Sequence, residues 1–165
     1  MRRKADAVPR NISFALTIAQ FRDRKKSVTR RLGWKFLYPG DELMGVEKSQ
    51  GVKAGEIARL GPILVTGVRR EPLSSITPRD VIAEGFPGMS PAEFVAMFSQ
   101  NMKCRSDDEV TRIEYKYLDK CWVCGKLVTS SLPILGRPER VCLVCDRATE
   151  RTRSNVIGKA VREYV

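Results

Sequence analysis

Arg24-Lys25-Lys26-Ser27-Val28-Thr29-Arg30-Arg31 places five cations among eight residues, with a β-former pair at Val28 and Thr29. Ser27–Arg31 reads as an extended segment, and on a regular strand alternate residues share a face. Thr29 and Arg31 then point one way and Arg30 the other. Lys26, three residues before Thr29, falls out of phase. It must leave from the turn ahead of the strand if it is to meet the threonine.

The same period of two frames this segment. Ile12, Phe14 and Leu16 alternate with Ser13, Ala15 and Thr17 in the manner of a strand. A short helical stretch from Ile18 to Arg24 leads into Ser27. Pro39-Gly40-Asp41 signals a turn before a strand at Leu43–Glu47, and Ile63–Val68 reads as another, interrupted by Gly67. Two helix starts follow. Thr77-Pro78-Arg79-Asp80 supplies an N-cap, a proline at the first helical position and an acid in the first turn. Ser90-Pro91-Ala92-Glu93 has the form of a capping box. Gly85 suits the end of the first helix. Val110–Leu118 alternates Ile113, Tyr115 and Tyr117 against Arg112, Glu114 and Lys116, as a strand should. Short strands, two central helices and no βαβ rhythm predict a small α+β barrel with two or three helices.

The chain has 165 residues, with 42% hydrophobic and 30% charged. That suffices for one main domain and a small appendage. The expected division is a flexible basic arm over 1–10, the barrel over 11–119 and a tail over 120–165. Thirty basic residues against nineteen acids give a formal charge of +11, which favours a polyanionic partner, nucleic acid above all. No apolar run reaches the ~18 residues of a membrane span. The start makes a poor signal peptide.

The tail carries Cys121-Trp122-Val123-Cys124 and Cys142-Leu143-Val144-Cys145, separated by seventeen residues, in a chain without histidine. That spacing suits two knuckles closing on one tetrahedral metal, and four thiolates without imidazole point to one structural zinc. Two disulfides or a redox motif is the rival reading, although two spaced pairs are not what a single redox motif shows. Reduced thiols fit the cytoplasm. Beyond the second pair, Ile157, Ala160, Val161 and Tyr164 recur at helical spacing. Cys104 is left over, without an assigned role. The absence of histidine also removes every Ser-His, Cys-His and imidazole acid–base arrangement, leaving lysine, carboxylates and hydroxyls for any catalysis.

Lys26, Thr29 and Arg31 fill the last positions of a Gly-x-Lys-x-x-Glu/Thr-x-Arg pattern, with Arg24 where the pattern has glycine. Pro39-Gly40-Asp41 and the run from Ile76-Thr77 to Ala83-Glu84-Gly85 follow in order. In these three elements, roughly residues 12 to 118 resemble the ASCH family, a PUA-like barrel group associated with RNA. The Lys-x-x-Thr-x-Arg form is most similar to that of the bacterial N4-acetylcytidine amidohydrolases. That resemblance implies that Lys26, Thr29 and Glu84 act together on an acyl amide. The cysteine tail is absent from the minimal members of that group.

Amide hydrolysis needs a nucleophile, a base and a positive group for the developing oxyanion. Thr29, or a water it orients, would be the first and a desolvated Lys26 the second. Arg31, with Arg30, would bind substrate. Two other roles fit the same resemblance: a non-catalytic RNA-binding module with a structural zinc ribbon, and an ASCH-type ribonuclease. The expected partner is RNA or a modified nucleoside, or else another nucleic acid, with no membrane.

Overall fold

A computed structural model of the protein describes residues 9–120. Most of the basic arm and all four cysteines of the expected zinc site lie outside the described residues, as does the helical pattern at the C-terminus. The chain divides into two units, Met1–Leu118 and Asp119–Val165. The first unit has an α+β architecture of five strands and three α-helices: β1 (Arg10–Ser13), α1 (Ile18–Arg22), β2 (Val28–Leu32), β3 (Glu42–Val46), β4 (Arg59–Pro72), α2 (Pro78–Ala83), α3 (Pro91–Met102) and β5 (Glu109–Tyr117). Among the described residues no helix is long and apolar enough to cross a membrane.

The strands form one sheet in the order β1-β3-β4-β5-β2, curled into a half-barrel. β1 runs parallel to β3, and every other neighbouring pair is antiparallel. β1 and β2 are therefore the two edges of the sheet, and the barrel expected from the strand pattern has an open seam there.

Side chains alternate across the sheet, so each face has its own core. Ile12, Phe14, Phe21, Leu43, Ile63, Val65, Ile113 and Tyr115 cluster on one face. On the other, Val110 joins Leu73, Ile76, Val81, Phe94 and Phe98 beneath α2 and α3. Gly45 serves the first core by its lack of a side chain. A Cβ there would lie 2.6 Å from the tip of the Phe21 ring.

The helix starts follow their sequence signals. Thr77 Oγ1 accepts the Asp80 backbone N–H at 3.2 Å, and Ser90 with Glu93 completes the reciprocal capping box on α3. Two strands differ from expectation. β1 stops at Ser13 because the chain turns there, Thr17 N–H donating to Phe14 O at 2.8 Å, and this leaves Leu16 exposed. β4 runs well past both ends of Ile63–Val68. Its C-terminal part is Arg69-Arg70-Glu71, whose polarity hid a segment paired along its length with β5.

Candidate functional site

The turn before β2 decides where Lys26 goes. Arg24, standing where the resembled pattern has glycine, adopts the left-handed φ of 57° that a glycine would supply. The backbone is tied down on either side of Lys26: Lys25 N–H donates to Gln20 O at 2.9 Å and Ser27 N–H to Ala83 O at 3.0 Å. The latter bond joins this turn to the C-terminal end of α2. Tyr117 adds a hydroxyl hydrogen bond to the Lys26 carbonyl at 2.6 Å.

Helix α2 ends on Glu84, its C-cap, and Gly85 follows at φ +96°. A side chain at Gly85 would be strained by that φ and would approach Gln20 Cβ at 3.1 Å. The two anchored ends bring Lys26 and Glu84 together. Lys26 Nζ donates to Glu84 Oε2 at 2.7 Å and to the Glu84 carbonyl at 2.5 Å. Both residues are buried, at 2% and 3% exposure, as is Thr29 at 2%. All three expected catalytic residues belong to the interior.

Burial lowers the Lys26 pKa from the ordinary lysine range. Glu84 pulls in the opposite direction without overcoming it, and Arg31 and Arg30 lower it further. Burial thus works against the ammonium, while the carboxylate and carbonyl of Glu84 work for it.

Thr29 and Arg31 leave the same face of β2, opposite Ile113 and Thr111 of β5. The Thr29 hydroxyl has no hydrogen-bond partner among the described residues. Arg31 Nη2 donates to the Ser13 carbonyl, so its side chain bridges the seam between the two edge strands. Its guanidinium carbon lies 5.6 Å from the centre of the Phe14 ring. Burial lowers the Arg31 pKa, with Glu84 offsetting part of the effect.

Lys26, Thr29, Arg31 and Glu84 line one cleft of about 480 Å³. It lies at the open seam. Ser13 and Phe14 form one wall, and Phe94, Met97 and Phe98 of α3 contribute to the other. The volume falls within the range of small-molecule sites, which place a few polar groups on apolar walls.

Arg30, expected to bind substrate with Arg31, also lines the cleft, and it is tied to carboxylates. It is 1% exposed, and its donors are spent on carboxylates. Nη1 reaches Glu84 Oε1 at 3.2 Å, Nη2 reaches Asp80 Oδ2 at 2.8 Å and Glu71 Oε1 at 2.6 Å, and Nε reaches Glu71 Oε1 at 3.1 Å. One oxygen of Glu84 is thereby held by Arg30 while the other faces Lys26.

Arg112 lies across from Arg30 on β5, and Arg69 across from Arg112 on β4. Asp80 receives Arg112 at 2.8 Å beside Arg30, and Arg69 reaches Glu71 at 2.6 Å. Burial on its own would raise the Asp80 pKa, but hydrogen bonds from Arg112 and Arg30 outweigh it and hold it at about 2. Glu71, Asp80, Arg69 and Arg112 were missed in the sequence. The available signal was arginine in strands whose register could not be read from the chain alone.

No family model and no curated protein matches the chain. Among the solved structures similar to it are the following three. Protein EF3133 from Enterococcus faecalis V583, of the family model DUF984, superposes at a TM-score of 0.51 with 13% identity, over 67% of this chain and 80% of that one. The hypothetical protein PH0355 gives 0.48 and 19%, over 67% and 97%. An ASCH domain from Lactobacillus crispatus JV V101 gives 0.46 and 13%, over 65% and 77%. The likeness to the Enterococcus faecalis protein is one of fold: the chain has the same α+β half-barrel, and its candidate site occupies the open seam.

Proposed function

We propose that the protein is an ASCH-type protein acting on RNA or a modified nucleoside, and that its cleft hydrolyses an N4-acyl amide of cytidine. The observation that carries this reading is the buried Lys26–Glu84 pair beside the free Thr29 hydroxyl in one cleft. Neutral Lys26 takes the proton of the Thr29 hydroxyl, or of a water held there, as the oxygen attacks the acyl carbon. The Arg31 guanidinium faces the negative charge that develops on the carbonyl oxygen. Lysine then returns the proton to the departing N4 nitrogen, and Glu84 supports the lysine while it is an ammonium. If threonine is the attacking group, water releases the acyl group in a second step.

Incubating the purified protein with N4-acetylcytidine should release cytidine and acetate in equal amounts. A protein inert on every acylated cytidine offered would overturn the hydrolase reading. The formal charge of +11 would then favour a non-catalytic RNA-binding module.

For the tail we propose one structural zinc on Cys121, Cys124, Cys142 and Cys145, in a cytoplasmic protein. The paired spacing supports it, and such a site contributes folding free energy directly. Protein purified without chelators, and with its thiols protected, should contain one zinc per chain by elemental analysis. Metal-free protein would refute the site.

A further inference from the structure

β2 is followed by two residues in the left-handed region, Gly33 at φ 73° and Trp34 at φ 51°. For glycine this conformation is ordinary, but for a bulky side chain it is an outlier that the surroundings must enforce. One enforcing contact is visible, the hydrogen bond from the Thr111 hydroxyl to the Gly33 carbonyl. The result is that Trp34 lines the cleft that holds Lys26, Thr29 and Glu84. It is only half-buried.

The indole belongs to a short series of flat groups. Its ring lies 5.4 Å from that of Phe36 at 33°, and the Arg10 guanidinium sits 4.3 Å from the centre of the Phe36 ring. Aromatic faces set beside a guanidinium are the means by which proteins hold unpaired bases.

The cations around the mouth point the same way. Among the described residues no carboxylate pairs with Arg10, Arg31 or Lys48. By contrast Arg22 has Glu47, Lys35 has Glu109 and Arg69 has Glu71. Lys48 is exposed on the rim of the cleft. Arg10 stands at the start of β1 and Ser13, the residue Arg31 touches, at its end. At about 3.3 Å per residue the two are separated by about 10 Å along the edge. A free nucleoside is uncharged and offers Arg10 and Lys48 nothing. A strand with a phosphate on either side of the bound nucleoside offers both a partner.

We propose that Trp34 forms a second, base-stacking subsite beside the cleft, and that the molecule bound is a single-stranded nucleic acid rather than a free nucleoside. The base in the cleft rests on the function proposed above. The stacking of its neighbour on Trp34 is a binding event and can be measured without turnover.

The test uses the full chain and a labelled RNA pentamer with cytidine or N4-acetylcytidine at its centre, read by fluorescence anisotropy. The free nucleosides serve as competitors, and the matching DNA pentamer as a second arm. The pentamer should bind at least about tenfold tighter than the nucleoside, and Trp34→Ala should weaken pentamer binding by about tenfold or more. Trp34→Phe should recover most of the loss. Tighter binding of RNA than DNA would make RNA the partner, and equal binding would make it single strands of either kind. Both results fit the proposal. Equal affinity for nucleoside and pentamer would overturn it, as would wild-type pentamer binding by a folded Trp34→Ala protein.

Should Trp34→Ala fail to fold, the exposed pair Arg10→Gln and Lys48→Gln takes its place. Each change should lower the slope of log affinity against log salt by about 0.7, the share of one single-strand phosphate contact. An unchanged slope would overturn the proposal. A protein that prefers the strand yet hydrolyses nothing would refute the hydrolase and leave this inference standing.

Discussion

Arg30 and Arg31 are neighbours in the chain and identical in chemistry, yet they stand in opposite situations. Arg30 faces α2 and the end of β4, where Asp80, Glu84 and Glu71 take its donors. Arg31 faces the seam, where it meets the Ser13 carbonyl and the Phe14 ring, and among the described residues it forms no ion pair, Glu84 acting on it only from a distance. One side of β2 is electrostatically closed, and the other keeps a cation and a threonine hydroxyl available to a ligand. Glu84 connects the two sides, one carboxylate oxygen in each. Saturated charge makes a rigid support, and unsaturated charge makes a site.

The largest expected effect tests this division through stability. Arg30→Met leaves three carboxylates without their shared cation and should cost about 3–5 kcal/mol in urea denaturation, enough to abolish folding in a marginal domain. Arg31→Met removes no carboxylate's partner and should cost about 1 kcal/mol, in keeping with the loss of a single carbonyl hydrogen bond. Equal costs would mean that the two faces of β2 are not distinct.

Next in size is the effect on rate. If the cleft hydrolyses an amide, Lys26→Ala should lower kcat by about 10²-fold or more. Because burial lowers the Lys26 pKa, activity should rise with pH along a limb centred below the ordinary lysine value of 10.5. Glu84→Gln removes the negative neighbour that favours the ammonium, so whatever rate remains should show this limb at still lower pH. An upward shift would place the controlling proton on another group.

The smallest effect concerns the closed side. Asp80 is held at about 2 against an ordinary 3.8, so between these values the unfolded chain binds more protons than the folded one. The stabilisation is complete above pH ~4 and is lost as pH falls toward ~2. Allowing for solvent screening, it is on the order of 1–2 kcal/mol. Acid titration of unfolding should show it in the native protein and much less of it in Asp80→Asn.

The elements most legible in the chain were those with local causes. The caps at Thr77 and Ser90 appear as expected because the residues that make them are three apart and need nothing else. The phase of β2 was also local, and alternation separates Thr29 and Arg31 from Arg30 as it must. The length of β4 was not legible. Arg69 and Glu71 are polar, and only their pairing with β5 makes them part of a sheet.

The residues of the candidate site could be named from the chain, through their order and spacing. Their burial could not. A lysine, a threonine and a glutamate look like surface until the fold covers them. The same limit applies to Arg30, whose ties to Glu71, Asp80 and Glu84 could not be read from its position beside Arg31.

By itself the sequence determined periodicity, helix ends, net charge and the absence of histidine, because each is a property of residues near in the chain or of their sum. The tertiary structure alone decided which arginine is neutralised and which is left open. That depends on Arg30 meeting Glu71, Asp80 and Glu84, 41, 50 and 54 residues away. A charge is compensated through space, and only the folded chain sets which groups lie within a few ångströms of it.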